Sequence, residues 1–115
     1  MTEESPDGPY RVFYRIVEAD PPRLWDFMSQ RAKGHTPPRT DPETVRLWTG
    51  LSMWATEAQA RRNARRFPAL GGYIAVLRVP EDAPIRVDRT RGPGHHTLWG
   101  RPSTFLNCVV SVVPV

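Results

Sequence analysis

One cysteine, Cys108, and one lysine, Lys33, are all that this 115-residue chain contains of either type. A lone cysteine excludes an intrachain disulfide framework and any site built on a cluster of cysteine ligands. No apolar run approaches the roughly 18–20 residues that cross a bilayer, which argues against membrane insertion. Residues 1–10 are acidic and carry proline and glycine where a signal peptide is basic and then apolar, so a cytoplasmic domain is expected. At about 100–200 residues per domain, the length leaves room for one core and no second catalytic module.

What the chain does have is arginine and proline. Sixteen basic residues stand against 12 acidic ones, a net charge of +4, and all the basic residues except Lys33 are arginine. Three of the acids, Glu3, Glu4 and Asp7, lie in the first nine residues, so the chain from Tyr10 onward carries a net +7. Thirteen prolines are about twice the usual share of roughly 5%, and they fall singly or in pairs where elements should begin or end. Met1–Pro9 has no periodicity and is expected to be a mobile tail, leaving residues 10–115 as one domain.

Tyr10–Val17 (YRVFYRIV) alternates as a strand, with Val12, Tyr14 and Ile16 on the cleaner apolar side and Arg15 pointing away from it. Asp20-Pro21-Pro22 marks a helix start, and Leu24, Phe27, Met28 and Arg31 recur at helical spacing up to Gly34, which predicts about three turns. Asp41-Pro42-Glu43 opens a second, short helix to Trp48. Leu51–Ala55 is a short strand, and Thr56-Glu57-Ala58-Gln59 is a capping box that starts a third helix. Tyr73–Val79 and Ile85–Thr90 alternate as strands, and Arg91–Gly94 reads as a loop. Phe105–Val115 is a β-branched run, and a strand of that composition is expected to lie buried between neighbours. The result is an α+β domain, a mixed sheet with about three helices in the order β-α-α-β-α-β-β-β.

On the third helix Arg61, Arg62, Arg65 and Arg66 fall within an arc of roughly 140° at about 100° per residue. Such a face is ordinarily solvated, and Glu57 pairs with Arg61 at i, i+4. It otherwise suits an acidic protein or a nucleic-acid backbone, although the interleaved aromatics of a single-strand stacking platform are missing from it. His95 and His96 are adjacent on an extended segment and face opposite sides, so they cannot readily share one ion, and no metal site is expected. One of the pair lining a pocket beside the glycine loop is the better reading. Trp25 and Trp48 sit on helical apolar stripes and read as core. Trp54 and Trp99 lie near strand ends and read as walls of a pocket for a flat ring. Cys108 in a buried strand reads as inert, and Asp88 is the one acid without an obvious structural role.

Tyr14-Arg15 at the end of a first strand, Leu51-Ser52-Met53-Trp54-Ala55-Thr56 running into Glu57-Ala58-Gln59-Ala60-Arg61, a central strand at Tyr73–Pro80 and a closing strand form an order that resembles the bacterial ADP-ribosyltransferase superfamily, including its small toxin-type members, over residues 10–115. The resemblance implies an NAD-binding domain. In it Arg15 would hold a phosphate or the nicotinamide ribose, Ser52 would support the ring, Trp54 would stack on it, and Thr56, where that strand ends, would be a further cofactor-binding residue. Trp99, Arg101, His95 and His96 would complete the cleft. Where the family places its catalytic glutamate this chain reads Gly94-His95-His96-Thr97-Leu98-Trp99-Gly100-Arg101, with no acid from Thr90 to Val115. Either a histidine replaces the carboxylate or the site binds without transferring. A small anionic ligand, NAD or a related nucleotide, is the expected partner. A protein partner on the arginine face, a homodimer through the terminal strand and, less favoured, nucleic acid are the alternatives.

Overall fold

The structure, a computed structural model, describes residues 9–115; the first eight residues of the expected tail lie outside it. The chain runs β1 (Tyr10–Val17), a 3₁₀ turn (Leu24–Phe27), α1 (Pro42–Trp48), β2 (Leu51–Trp54), α2 (Glu57–Arg66), a second 3₁₀ turn (Pro68–Leu70), β3 (Tyr73–Pro80), β4 (Arg86–Arg89), β5 (His95–Trp99), α3 (Pro102–Cys108) and β6 (Val109–Pro114). The six strands form one antiparallel sheet in the spatial order β4-β5-β2-β1-β3-β6. The α+β class and the expected order of elements hold, with a wholly antiparallel sheet in place of the expected mixed one. His95–Trp99 adds a strand, and a helix precedes the last one.

Alternation along the strands places Phe13, Val17, Met53, Leu77 and Leu98 on one face of the sheet, where they pack with Phe27 from the first 3₁₀ turn and Phe105 and Cys108 from α3. Ile16 and Ile74 alternate onto the other face, which α2 covers, its Ala60 and Ala64 small enough to bury completely. Both sides of β1 are thus covered, and Arg15 shares its side with the more deeply buried pair, Phe13 and Val17. Asp41 caps α1 by accepting from the Thr44 N–H, and the Thr56 hydroxyl caps α2 by accepting from the Gln59 N–H. The other half of the capping box is not made, because the Gln59 amide turns instead to the Pro93 carbonyl.

The chain departs from its local pattern in two places. Leu24–Phe27 closes a single 3₁₀ turn rather than opening a helix to Gly34. Asp26 explains the stop. Its carboxylate is buried and accepts the backbone N–H groups of Glu18 (2.8 Å) and Arg23 (2.9 Å), while its carbonyl, an acceptor that a continuing helix would need, takes the Arg15 Nε–H at 2.8 Å. In the second place, the expected strand from Phe105 begins only at Val109, because Pro102 sets the first turn of α3 and Phe105 and Cys108, three apart, point together into the core. β6 is an edge strand paired only with β3, not buried between neighbours. Its register shifts between Val76 and Leu77, whose partners are Ser111 and Val109, so Val110 is the extra residue of a bulge and stands 59% exposed.

Gly71 ties the end of α2 to the sheet. Its φ of +147° lies in a region that only glycine occupies comfortably, and a Cβ there would collide with the Val17 carbonyl at the end of β1.

Candidate functional site

β1 and β3 pair along eight residues, but β1 and β2 pair only at Tyr14 and Trp54. Beyond that point the two strands part, and a cleft of about 440 Å³ opens between them, a volume within the range of small-ligand sites. Backbone groups freed by the parting need partners. Arg15 supplies one by reaching across the opening: its Nη1 donates to the Ser52 carbonyl at 2.9 Å while its Nε holds the Asp26 carbonyl. The guanidinium therefore lies fixed at the base of the cleft, with Nη2 bonded to none of the described residues. Burial pushes its pKa down to about 10 and the nearby Asp26 carboxylate pushes back, so Arg15 stays charged at neutral pH.

The wall on the β1 side comes from residues 18–35. Lys33 Nζ sits over the Trp25 ring at 4.7 Å, and the Trp25 Nε1–H donates to Glu18 Oε2 at 3.2 Å. Burial and then the Arg15 charge hold the Lys33 amine below its usual value, while Glu18 and Asp26 oppose them. His35 is bonded to the Gln30 side chain, and its carbonyl accepts the Trp48 Nε1–H from α1 at 2.8 Å. From the β5 side, Ser52, Trp54, Thr97 and, on the loop after β4, Arg91 complete the lining. The cleft combines fixed and flexible cations with aromatic rings, a set that matches an anionic ligand carrying a flat ring. The oxygens of Asp26 are occupied by backbone N–H groups and by Arg23, 3.6 Å away, so this carboxylate anchors the cleft.

Comparison of the chain with protein-family models, with curated proteins and with solved structures finds no match. The cleft's own chemistry is therefore the guide to what it takes.

Of the residues singled out in the sequence, Arg15, Ser52 and Trp54 line the cleft together. His95 stands behind Trp54, ring edge to ring face at 5.4 Å, with Nδ1 at 3.0 Å from the Thr90 hydroxyl and 3.1 Å from its carbonyl. His96 is buried on the opposite face of the sheet against Phe13, with Nε2 3.5 Å from Arg11 Nη2. Burial lowers both histidine pKa values, and neighbouring charges lower them further, Arg91 and His96 acting on His95 and Arg11 and Arg89 on His96. Neither ring lines the cleft. Thr56 is taken up as the cap of α2, and Arg101 is exposed at the start of α3. Trp99 packs away from the cleft, its Nε1–H on the Thr49 hydroxyl and its ring in contact with both Arg46 (4.9 Å) and Arg86 (5.7 Å). Both arginines hold Asp88, at 2.8 and 3.3 Å, which gives that acid a structural role. Burial raises the Cys108 thiol, in keeping with an inert core cysteine.

Trp25 and Trp48 are not core residues. Both line the cleft, and Trp25 is 42% exposed. Lys33 joins them without having been marked by any motif. The available signal was compositional: the chain's only lysine lies with a tryptophan in a proline-bounded segment, and such loops often carry sites. On α2, Arg61 bonds Glu57 (3.2 Å) and the Pro114 carbonyl (2.9 Å), whereas Arg62, Arg65 and Arg66 are exposed and have no acidic partner among the described residues.

Proposed function

We propose that the chain is a small ADP-ribosyltransferase-like domain whose cleft binds NAD or a related nucleotide, in the cytoplasmic setting its composition suggests. One observation carries this reading: the first-strand arginine, Arg15, is fixed across the opening between β1 and β2 with Ser52 and Trp54 beside it. The guanidinium meets phosphate or ribose oxygens through Nη2, Lys33 adds charge, and Trp25 and Trp54 offer ring faces to a base or nicotinamide. His95 and His96 stand outside the lining, which favours binding over transfer.

Calorimetry with NAD, nicotinamide mononucleotide and ADP-ribose tests this. Binding of at least one is expected, with loss in an Arg15→Ala variant that retains its circular dichroism spectrum. No heat from any of the three at millimolar concentration would end the reading. Chromatography of NAD incubated with the protein is expected to show no free nicotinamide; its release would mean that the cleft cleaves or transfers as well as binds.

A second reading rests on three exposed arginines of α2, Arg62, Arg65 and Arg66, which have no acidic partner among the described residues, as a face for an acidic protein or a nucleic acid. It requires affinity that falls steeply with salt. Unchanged partner binding by a variant with all three replaced by glutamine would remove it.

A further inference from the structure

The loop between β4 and β5 holds three departures from ordinary backbone within four residues: Arg91 at φ +54°, Gly92 at +100° and, after Pro93, Gly94 at +75°. Glycines adopt such angles at little cost, but an arginine does so against a steric penalty between its Cβ and the backbone. The loop is firmly based. The Gly94 carbonyl accepts the Ala55 N–H at 2.9 Å, Thr90 N–H bonds the His95 carbonyl at 2.9 Å, and the Gln59 side chain fills the space where a Gly94 Cβ would sit. Arg91 borders the cleft and also a second concavity lined by Arg89–Gly94. The strained residue is itself part of the cleft lining, and no carboxylate among the described residues pairs with it.

Positive charge therefore lines the cleft in two places. Arg15 and Lys33 lie within electrostatic reach of each other on the β1 side, whereas Arg91 stands on the β5 side beside His95. A single phosphate can be held at the first place alone. A ligand with two phosphates has oxygens for both.

We propose that Arg91 is a second anion-holding group that makes the cleft selective for ligands carrying a diphosphate, nucleoside diphosphates and dinucleotides, over nucleoside monophosphates. This rests on the nucleotide reading above, and the test separates the two. Affinities for AMP, ADP and ADP-ribose are measured by calorimetry at one ionic strength for the wild type, Arg91→Gly and Arg91→Lys. Glycine is the informative replacement because it suits φ +54°, so the variant should melt no lower than the wild type. The wild type is expected to bind ADP and ADP-ribose about tenfold more tightly than AMP, the scale of one charge-assisted hydrogen bond, and Arg91→Gly should remove most of that ratio while leaving AMP within about twofold. Arg91→Lys should fall between. A wild type that binds AMP as tightly as ADP, or an Arg91→Gly variant that weakens all three ligands equally or none, overturns the role of Arg91 and leaves the nucleotide site standing. A wild type that binds none of the three overturns both.

Discussion

The two seams of β1 differ in what holds them. Toward β3 the strand is paired at every residue from Tyr10 to Val17, with buried Phe13 opposite buried Leu77 and the long Arg15 opposite the small Ala75. Toward β2 one pair, Tyr14 and Trp54, is all that remains. The closed seam buries apolar surface and the open one exposes polar surface, yet a single residue serves both. The backbone of Arg15 belongs to the ladder with β3, and its guanidinium replaces a ladder bond toward β2 by taking the Ser52 carbonyl. A cleft can thus be cut into a sheet without stranding its backbone groups, provided a long side chain from the same strand answers for them.

Four substitutions or conditions distinguish the seams. The closed seam should respond most strongly. Phe13 is fully buried, and Phe13→Ala is expected to lose about 3–5 kcal/mol of unfolding free energy in urea titrations, through lost burial and the cavity left behind. A loss under about 1 kcal/mol would show that the core closes over the gap and that the seam is not rigid. Next, Asp26→Ala takes from the N–H groups of Glu18 and Arg23 their buried acceptor and frees the turn that bears the open seam. About 1–3 kcal/mol of stability should go, and nucleotide affinity should fall with it as Arg15 loses its fixed position. Stability lost with affinity intact would detach Asp26 from the cleft.

A smaller effect comes from pH. The folded pKa values of His95 and His96 lie below the ordinary value of 6.5, so the unfolded chain takes up protons first as pH falls. Stability should be flat above that value and decline as pH drops through it toward the lowered folded values. Melting curves between pH 8 and pH 5 give the decline, and His96→Phe, which keeps a ring against Phe13, should reduce it. Smallest of all should be Asp88→Asn, which weakens an exposed network with Arg46 and Arg86 far from either seam. A melting shift as large as that of Asp26→Ala would mean that the hold of β4 on α1 governs the open seam from a distance.

The paired part of the fold is legible in local pattern. Alternation marks β1 and β3, Asp41 and Thr56 mark the helix starts they cap, and the arginine face of α2 follows from its spacing. The first 3₁₀ turn is not legible, because the helical stripe from Leu24 is interrupted by Asp26 and Arg15, whose meeting is a tertiary event with no trace in residues 24–34. The same holds for α3: Pro102 was a sound start signal, but the valines from Val109 onward made the whole segment read as strand. Arg15, Ser52 and Trp54 were reachable because the order of strands brought them together. Lys33 and Trp25 carried only a compositional signal and Trp48 none, since a cleft formed by two strands parting is a property of the sheet rather than of any segment within it.

Gly71 carries a consequence for the size of that opening. The turn Pro68–Leu70 brings Ala69 and Leu70 to the rim only because residue 71 lets the chain lie against the last carbonyl of β1. The aperture on that side is in effect gauged by one hydrogen atom. A methyl group in its place would lift the rim away from β1, widening the mouth from a position outside the cleft lining.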